Sequence, residues 1–161
     1  MLLGILADSH NQLERTRRAV ALLQEAGAAA LVHCGDLASP EIVEVCAVLP
    51  LYFVFGNHDG DMARQLRQAA IHFNATCLGW GGVIELAGKK IGIAHGHLTM
   101  DIKPILASSP DYLLTGHSHA THDVRDGTLR RINPGALFRA TTFTVALLDL
   151  QTDVLEFHEV V

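Results

Sequence analysis

Five short stretches carry side chains that bind metal ions, and each follows an apolar run. Asp8 and His10 lie in "ADSH" after "LLGIL", and Asp36 closes "HCGD" after "AALV". Asn57, His58 and Asp59 lie in "GNHD" after "LYFVF". His95 and His97 lie in "AHGH" after "KKIGI", and His117 and His119 in "GHSH" after "YLLT". The donors are carboxylate, amide and imidazole, with no thiolate. Such a set suits Mn2+, Fe or Zn2+ better than an all-oxygen calcium site or a sulfur site. Asp8, His10, Asp36, Asn57, His95, His117 and His119 are too many ligands for one tetrahedral ion. They suffice for two ions sharing a carboxylate, and two ions about 3.5–4 Å apart clamp the attacking and leaving oxygens of a phosphoryl transfer.

Each stretch alone has an ordinary explanation. Asp8 to Asn11 could be a polar strand-to-helix turn, and Gly35-Asp36 is common turn chemistry. A turn accounts for Gly56 and Asn57 but not for a histidine between Asn57 and Asp59. Paired histidines such as His117 and His119 are unusual in turns. The ordered combination of all five is what points to a metal site.

Such convergence needs strands that end together. "LLGILA" (2–7), "AALVHC" (29–34) and "LYFVF" (51–55) read as buried strands. Residues 12–27 read as an amphipathic helix closed by Gly27, and 39–49 as a helix with Ser39 as N-cap and Pro40 at its first position. Strand and helix in turn imply parallel strands joined by right-handed crossovers. Residues 82–96 read as a hairpin turning at Gly88, followed by a short helix near Pro104. "YLLTG", a hairpin turning at Asp126-Gly127, and residues 141–160 supply further strands. Residues 60–80 receive no element, although Arg64 and Arg67 read as exposed helix positions by default and otherwise as candidates for substrate phosphate. Two sheets packed face to face with helices outside would bury every apolar strand. Ligand sites in such folds form beyond the carboxyl ends of the strands.

With 161 residues the chain makes one domain, 1–161, and its 49% hydrophobic content excludes a disordered chain. The net charge of −5 and the absence of a basic run beyond the loose cluster Arg15, Arg17, Arg18 argue against nucleic-acid binding. The apolar N-terminus lacks a basic region and a cleavage site, and no segment is long enough to span a bilayer, so a cytoplasmic location is expected. Cys34, Cys46 and Cys77 are scattered, as free thiols in a reducing compartment would be. A strand edge near the C-terminus could pair into a homo-oligomer.

In its order Asp8-Ser9-His10, Gly35-Asp36, Gly56-Asn57-His58-Asp59, His95-Gly96-His97, Gly116-His117-Ser118-His119, the chain resembles the calcineurin-like metallophosphoesterases. Its length and "NPGA" (133–136) make it most similar to their small YfcE/MJ0936-type phosphodiesterases, which are related to the Vps29 scaffold. The resemblance implies an α/β fold, a four-layer α-β-β-α sandwich with two mixed sheets. It implies one metal on Asp8, His10, Asp36 and His119, and another on Asp36, Asn57, His95 and His117, with Asp36 bridging. It also implies a metal-bridging hydroxide as nucleophile, a small phosphoester substrate, and His58 as leaving-group acid. Mn2+ is the first expectation for the two divalent ions, with Ni2+, Fe or Zn2+ as alternatives. Ser118, Thr121 and Ala136 stand where the family usually has Thr, Pro and Ser. "GDLASPE" lacks the second Asp and the Arg of protein phosphatases, which argues against that activity.

Other residues carry weaker expectations. Asp59 is a turn residue or an orienting partner of His58. His33 is a support for a ligand or a semi-buried histidine, and His97 could approach substrate. His72, His122 and His158 read as structural or exposed, and Arg139 as a candidate for substrate phosphate. No substrate-binding residue is assigned. The competing readings are a phosphomonoesterase or nucleotide pyrophosphatase on the same site, and a non-catalytic scaffold.

Overall fold

A computed structural model describes residues 1–161. In the first sheet β1 (Leu2–Leu6), β2 (Ala30–His33), β3 (Leu51–Phe53) and β4 (Thr76–Cys77) run parallel, in that order. Antiparallel β10 (Thr144–Asp149) and β11 (Leu155–Glu159) extend it beyond β1. The second sheet has the order β5 (Gly81–Leu86), β6 (Lys89–Ala94), β7 (Tyr112–Leu114), β9 (Leu129–Pro134), β8 (Thr121–Asp126). There β6, β7 and β9 are parallel, and β5 and β8 form antiparallel hairpins at the edges. Both sheets are mixed, as expected.

The strands read as continuous apolar runs because both faces of the first sheet are covered. Leu3, Ile5 and Val32 face inward and meet Ile91, Ile93, Tyr112, Leu114 and Ile132 of the second sheet. Leu6, Leu31 and Phe53 face outward against α1 (Leu13–Glu25), α2 (Pro40–Cys46) and α3 (Ala63–His72). On the far side α4 (Thr99–Ala107) packs Ile105 onto Ala94 and Leu113. This is the four-layer sandwich. Phe53 is fully buried, and truncating such a residue to Ala costs about 3–5 kcal/mol.

Local details refine the expectations. The first helix ends at Glu25; Gly27, with φ +90°, makes the left-handed turn that lets Ala28 N–H reach back to Leu23 O. Ser39 takes the N-cap position of α2 in extended backbone, but its hydroxyl makes no capping bond. Its carbonyl instead receives Ile42 N–H at 3.3 Å. Residues 60–80 hold α3 and β4. Helix α3 turns Leu66, Ala69 and Ala70 to the core.

Candidate metal centre

The five chemistry-bearing loops leave the carboxyl ends of β1, β2, β3, β6 and β7 and meet in the crevice between the sheets. Their backbone is strained. Asp8, His10, Asp36, His117 and His119 all have φ between +41° and +67°. Left-handed backbone is disfavoured for residues with a Cβ, and such strain persists only where surroundings over-determine it. Here backbone bonds stitch the loops together. Asp8 N–H donates to Gly35 O, His10 N–H to Asp36 O and Gly116 N–H to His95 O, each at 3.0 Å. Glycine is required where loops touch. A Cβ on Gly56 would collide with Asp36 Oδ1, and one on Gly116 would lie 2.8 Å from Asp8 Oδ2.

The ring nitrogens then have defined roles. His95 Nδ1–H donates to Cys34 O at 2.8 Å, which leaves the Nε2 lone pair facing oxygen acceptors. Asn57 Oδ1 lies 3.0 Å from that Nε2, Asp36 Oδ2 3.3 Å and Asp8 Oδ1 3.9 Å. His119 repeats the pattern: Nδ1 donates to Arg139 O at 3.4 Å and Nε2 stands 3.2 Å from Asp8 Oδ1. His10 Nε2 lies 3.3 Å from Asp36 Oδ2. Asp8 Oδ1 and His10 Nε2 are buried without any hydrogen bond. Lone pairs aimed at lone pairs call for a cation between them, a metal ion or a proton. Separations near 3 Å are those expected between ligands each about 2.0–2.2 Å from a shared ion. A histidine ligand that donates its other N–H to a carbonyl is also the usual metal-site arrangement.

Three overlapping groups of donors lie close enough to hold an ion: Asp8, His10 and His119; His10, Asp36 and His58; Asp8, Asp36 and His95. Asn57 joins through His95. His117 stands apart from these groups: its N–H donates to Asp8 Oδ2 at 2.9 Å, and its exposed ring lies 5.1 Å from that of His95. His58 is exposed, its ring 4.9 Å from His10, and its N–H donates to Asp36 Oδ1 at 2.8 Å. The cleft over these groups measures about 350 Å³ and is also lined by Phe138 and Arg139.

Electrostatics follow burial and neighbours. Burial raises Asp8 above the usual carboxylate range, against the pull of His95 and His119. Burial also opposes ionisation of Asp36, but the His10 and His95 imidazoles and the His58 N–H outweigh it and hold Asp36 well below that range. Complete burial takes His33 down to about 3. His33 Nδ1 accepts Gly35 N–H at 3.3 Å, so Nε2 carries the proton and donates to Ser9 Oγ at 2.9 Å. His33 therefore ties the Asp8–His10 loop to the Gly35-Asp36 loop.

Asp59 is fully buried and binds backbone rather than His58. It accepts N–H groups of Leu37, Ala38 and Gly56 at 3.2, 2.7 and 2.8 Å, fastening the β3 loop to the β2 loop. Asn133 has no distinguishing signal in the sequence beyond "NPGA", which marks its loop. Its Nδ2 donates to Gly116 O at 2.7 Å and to Ser118 Oγ at 3.1 Å, holding the loop of His117 and His119. His97 is half-buried, its ring 5.4 Å from His95. His72 and His122 are exposed, and His158 lies 3.5 Å from Glu156. Arg64 and Arg67 lie on α3, the Arg67 guanidinium 5.1 Å over the Phe55 ring.

Relatives share this whole frame. The phosphodiesterase MJ0936 of Methanocaldococcus jannaschii is 27% identical over 168 aligned positions, covering 100% of this chain and 99% of that protein. A solved archaeal phosphodiesterase superposes with a TM-score of 0.87 at 23% identity over 99% of both chains. The E. coli phosphoesterase YfcE superposes at 0.71 and 19% identity over 100% of both. Vps29 of Entamoeba histolytica, at 0.65 and 20% identity over 99% of both, carries the same fold. The model of the calcineurin-like phosphoesterase superfamily domain matches residues 1–153. With that match running from the first strand past β10, through all five ligand loops, the chain belongs to the calcineurin-like phosphoesterase superfamily.

Proposed function

We propose that the protein is a metal-dependent phosphodiesterase acting on small substrates. One observation carries the reading: His95 and His119 both give their Nδ1 protons to carbonyls and turn Nε2 toward carboxylate oxygens, leaving a cage that needs cations. Asp8, His10, Asp36 and His119 would hold one divalent ion, and Asp36, Asn57, His95 and His117 the other. Asp36 Oδ2, at 3.3 Å from both His10 Nε2 and His95 Nε2, supports its role as the shared ligand. Mn2+ is the preferred ion, with Ni2+, Fe or Zn2+ as alternatives; the donor chemistry accepts each. Divalent ions supply Lewis acidity there, neutralising phosphate oxygens and acidifying water.

The chain's own groups do the rest. Asp8 and Asp36 keep ligand geometry rigid through their backbone bonds. His58, exposed over the cleft with its backbone fixed on Asp36, donates a proton to the leaving alkoxide. Such help is worth about 10²- to 10⁴-fold. The open cleft has room for the second ester group of a diester, which favours this reading over a phosphomonoesterase or nucleotide pyrophosphatase. The scaffold reading gives no role to His58, which stands exposed over the cleft of candidate ligands.

The test is hydrolysis of bis-p-nitrophenyl phosphate and p-nitrophenyl phosphate by metal-stripped protein with Mn2+, Ni2+, Zn2+ or Mg2+ restored, beside His117→Ala. Expected is diester turnover that returns with Mn2+ or Ni2+ and is lost in the variant. Failure to bind any metal would sink the proposal in favour of the scaffold. With esters of alkyl leaving groups added to the assay, His58→Ala should lose more rate on these than on the aryl esters, and equal losses would remove His58 from the acid role.

A further inference from the structure

The second sheet has an outer face that its helix covers only in part. Helix α4 lies against β5 and β6 and lays Ile105 on Ala94 and Leu113, while every residue of β8 at the far edge is exposed. Strand alternation sends Ile132 into the core between the sheets, so its neighbours Arg131 and Asn133 face outward. His122 pairs opposite Asn133 and shares that outward face. These residues line a groove of about 370 Å³, within the usual range of small-ligand sites. Arg131, His122 and His117 border it with nitrogen donors, Thr115, Ser118 and Thr121 with hydroxyls, and no carboxylate lines it. His117 also lines the cleft over the candidate ligands, so groove and cleft share a wall. Ser118 Oγ accepts from Asn133 Nδ2 at 3.1 Å, which leaves its own proton for a ligand.

A chain of net charge −5 thus holds a groove with no negative group beside its centre of chemistry. The guanidinium of Arg131 is always charged. Its ion-pair partner, Asp126, stands 3.9 Å away on the hairpin with its side chain 74% exposed. So wet a pair neutralises little. An apolar ligand would take water from Arg131 and supply no partner, which is costly. A carboxylate offers two oxygens, whereas a phosphate monoester offers three and a second charge. Those three match a guanidinium fork, an imidazole N–H and the hydroxyls around them. We propose that the groove is a phosphate subsite anchored by Arg131, holding the second phosphate of a substrate whose diester lies over the cleft on the other side of His117. The substrate half rests on the phosphodiesterase reading, but the binding half needs no turnover.

The binding half is tested on the metal-free protein with inorganic phosphate as the probe, followed by two-dimensional NMR. The amide signals of Thr115, Ser118, His122 and Arg131 should move saturably while that of His58 stays in place. Arg131→Gln should weaken binding about tenfold or more, as loss of a charge-assisted hydrogen bond does, and Arg131→Lys should weaken it less. Shifts that never saturate, that centre on His10 and His58, or that survive Arg131→Gln unchanged would overturn the subsite. For the substrate half the pair is 3-phosphopropyl p-nitrophenyl phosphate and methyl p-nitrophenyl phosphate with Mn2+ restored. The phosphopropyl ester should have the higher kcat/KM, and Arg131→Gln should cut that preference about tenfold. Equal losses on both esters would overturn the inference, because Arg131 would then only support the fold. Phosphate binding in the groove with no preference between the esters would overturn the substrate half and leave a site for free phosphate. Phosphate binding in the groove without hydrolysis of either ester would support the subsite and fault the phosphodiesterase reading instead.

Discussion

At the carboxyl ends of the strands, Asp8 Oδ1 and His10 Nε2 are buried with no hydrogen bond. At the opposite ends of the same sheets, Arg130 is also enclosed, its side chain 8% exposed, and its guanidinium is fully engaged. Its Nε and Nη2 donate to both oxygens of Asp123 at 2.7 and 2.9 Å, and Nη1 donates to Asp153 O and Oδ1 at 2.5 and 2.6 Å. Tyr112 OH donates to Asp153 Oδ1 at 3.0 Å, and Arg125 donates to Asp153 Oδ2. This clamp joins β7, β8 and β9 of the second sheet to the β10–β11 turn of the first. Both clusters bring charged groups out of water, which is costly unless they are paired. The clamp closes its circuit with protein atoms and holds the sheets together. The candidate metal centre leaves its circuit open, and in the proposed function divalent cations complete it.

The contrast breaks first, if it breaks, at Asp8. Burial already disfavours its charge, so Asp8→Asn should cost the loaded enzyme about 10³-fold in turnover, the several kcal/mol a metal supplies. The same substitution should leave the metal-free protein equally stable or raise its thermal midpoint by about 2–4 °C, the shift of roughly 1 kcal/mol. A lower midpoint would mean that the open cluster is structural after all. Arg130→Met should do the reverse. The carboxylates it leaves, Asp123 and Asp153, are each 36% exposed and rehydrate, so the cost is about 1.5–3 kcal/mol; the midpoint should drop, while turnover per folded molecule stays near wild type. If Arg130→Met lost activity alone and kept its midpoint, the division of roles would be overturned.

Smaller effects sharpen it. His33→Gln loosens the tie between two ligand loops, and isothermal titration should show metal affinity about tenfold weaker, the low end for such supporting groups. Unchanged affinity would leave His33 a packing residue. Acid titration of stability tests the clamp. Burial pushes Asp153 up, but hydrogen bonds from Arg125, Arg130 and Tyr112 outweigh it and hold it at about 2. The unfolded chain therefore binds more protons between its ordinary value of 3.8 and about 2, and stability falls as pH falls through that window. Chemical denaturation of the metal-free protein should show a shallower loss there for Asp153→Asn than for wild type. Identical slopes would remove Asp153 from the clamp.

Much of the metal centre is legible because its signal is local. Asp, Asn and His placed just past apolar runs mark strand ends, and strand ends in such sheets meet in one crevice. The clamp is not legible. Arg130 and Arg131 are neighbours of identical type, and β-strand alternation alone sends one to the clamp and the other toward Asp126, 3.9 Å away. Asp59 is ambiguous in sequence because a buried carboxylate can serve a ring or a backbone, and only the meeting of the β2 and β3 loops chose the backbone.

By itself the sequence determined the candidate donor set, the absence of thiolate from it, the strand ends that carry these donors and the apolar runs that bury both faces of the first sheet. These are properties of residue type and short spacing, which local physics reads directly. Tertiary structure decided which ring nitrogen of His95 and His119 keeps its lone pair, because that depends on carbonyls of Cys34 and Arg139 brought from far along the chain. It decided the strained backbone of Asp8, His10, Asp36, His117 and His119, which only the stitched loops can hold. It also decided that Phe138 and Arg139 line the cleft over the candidate ligands, through packing that no local pattern encodes.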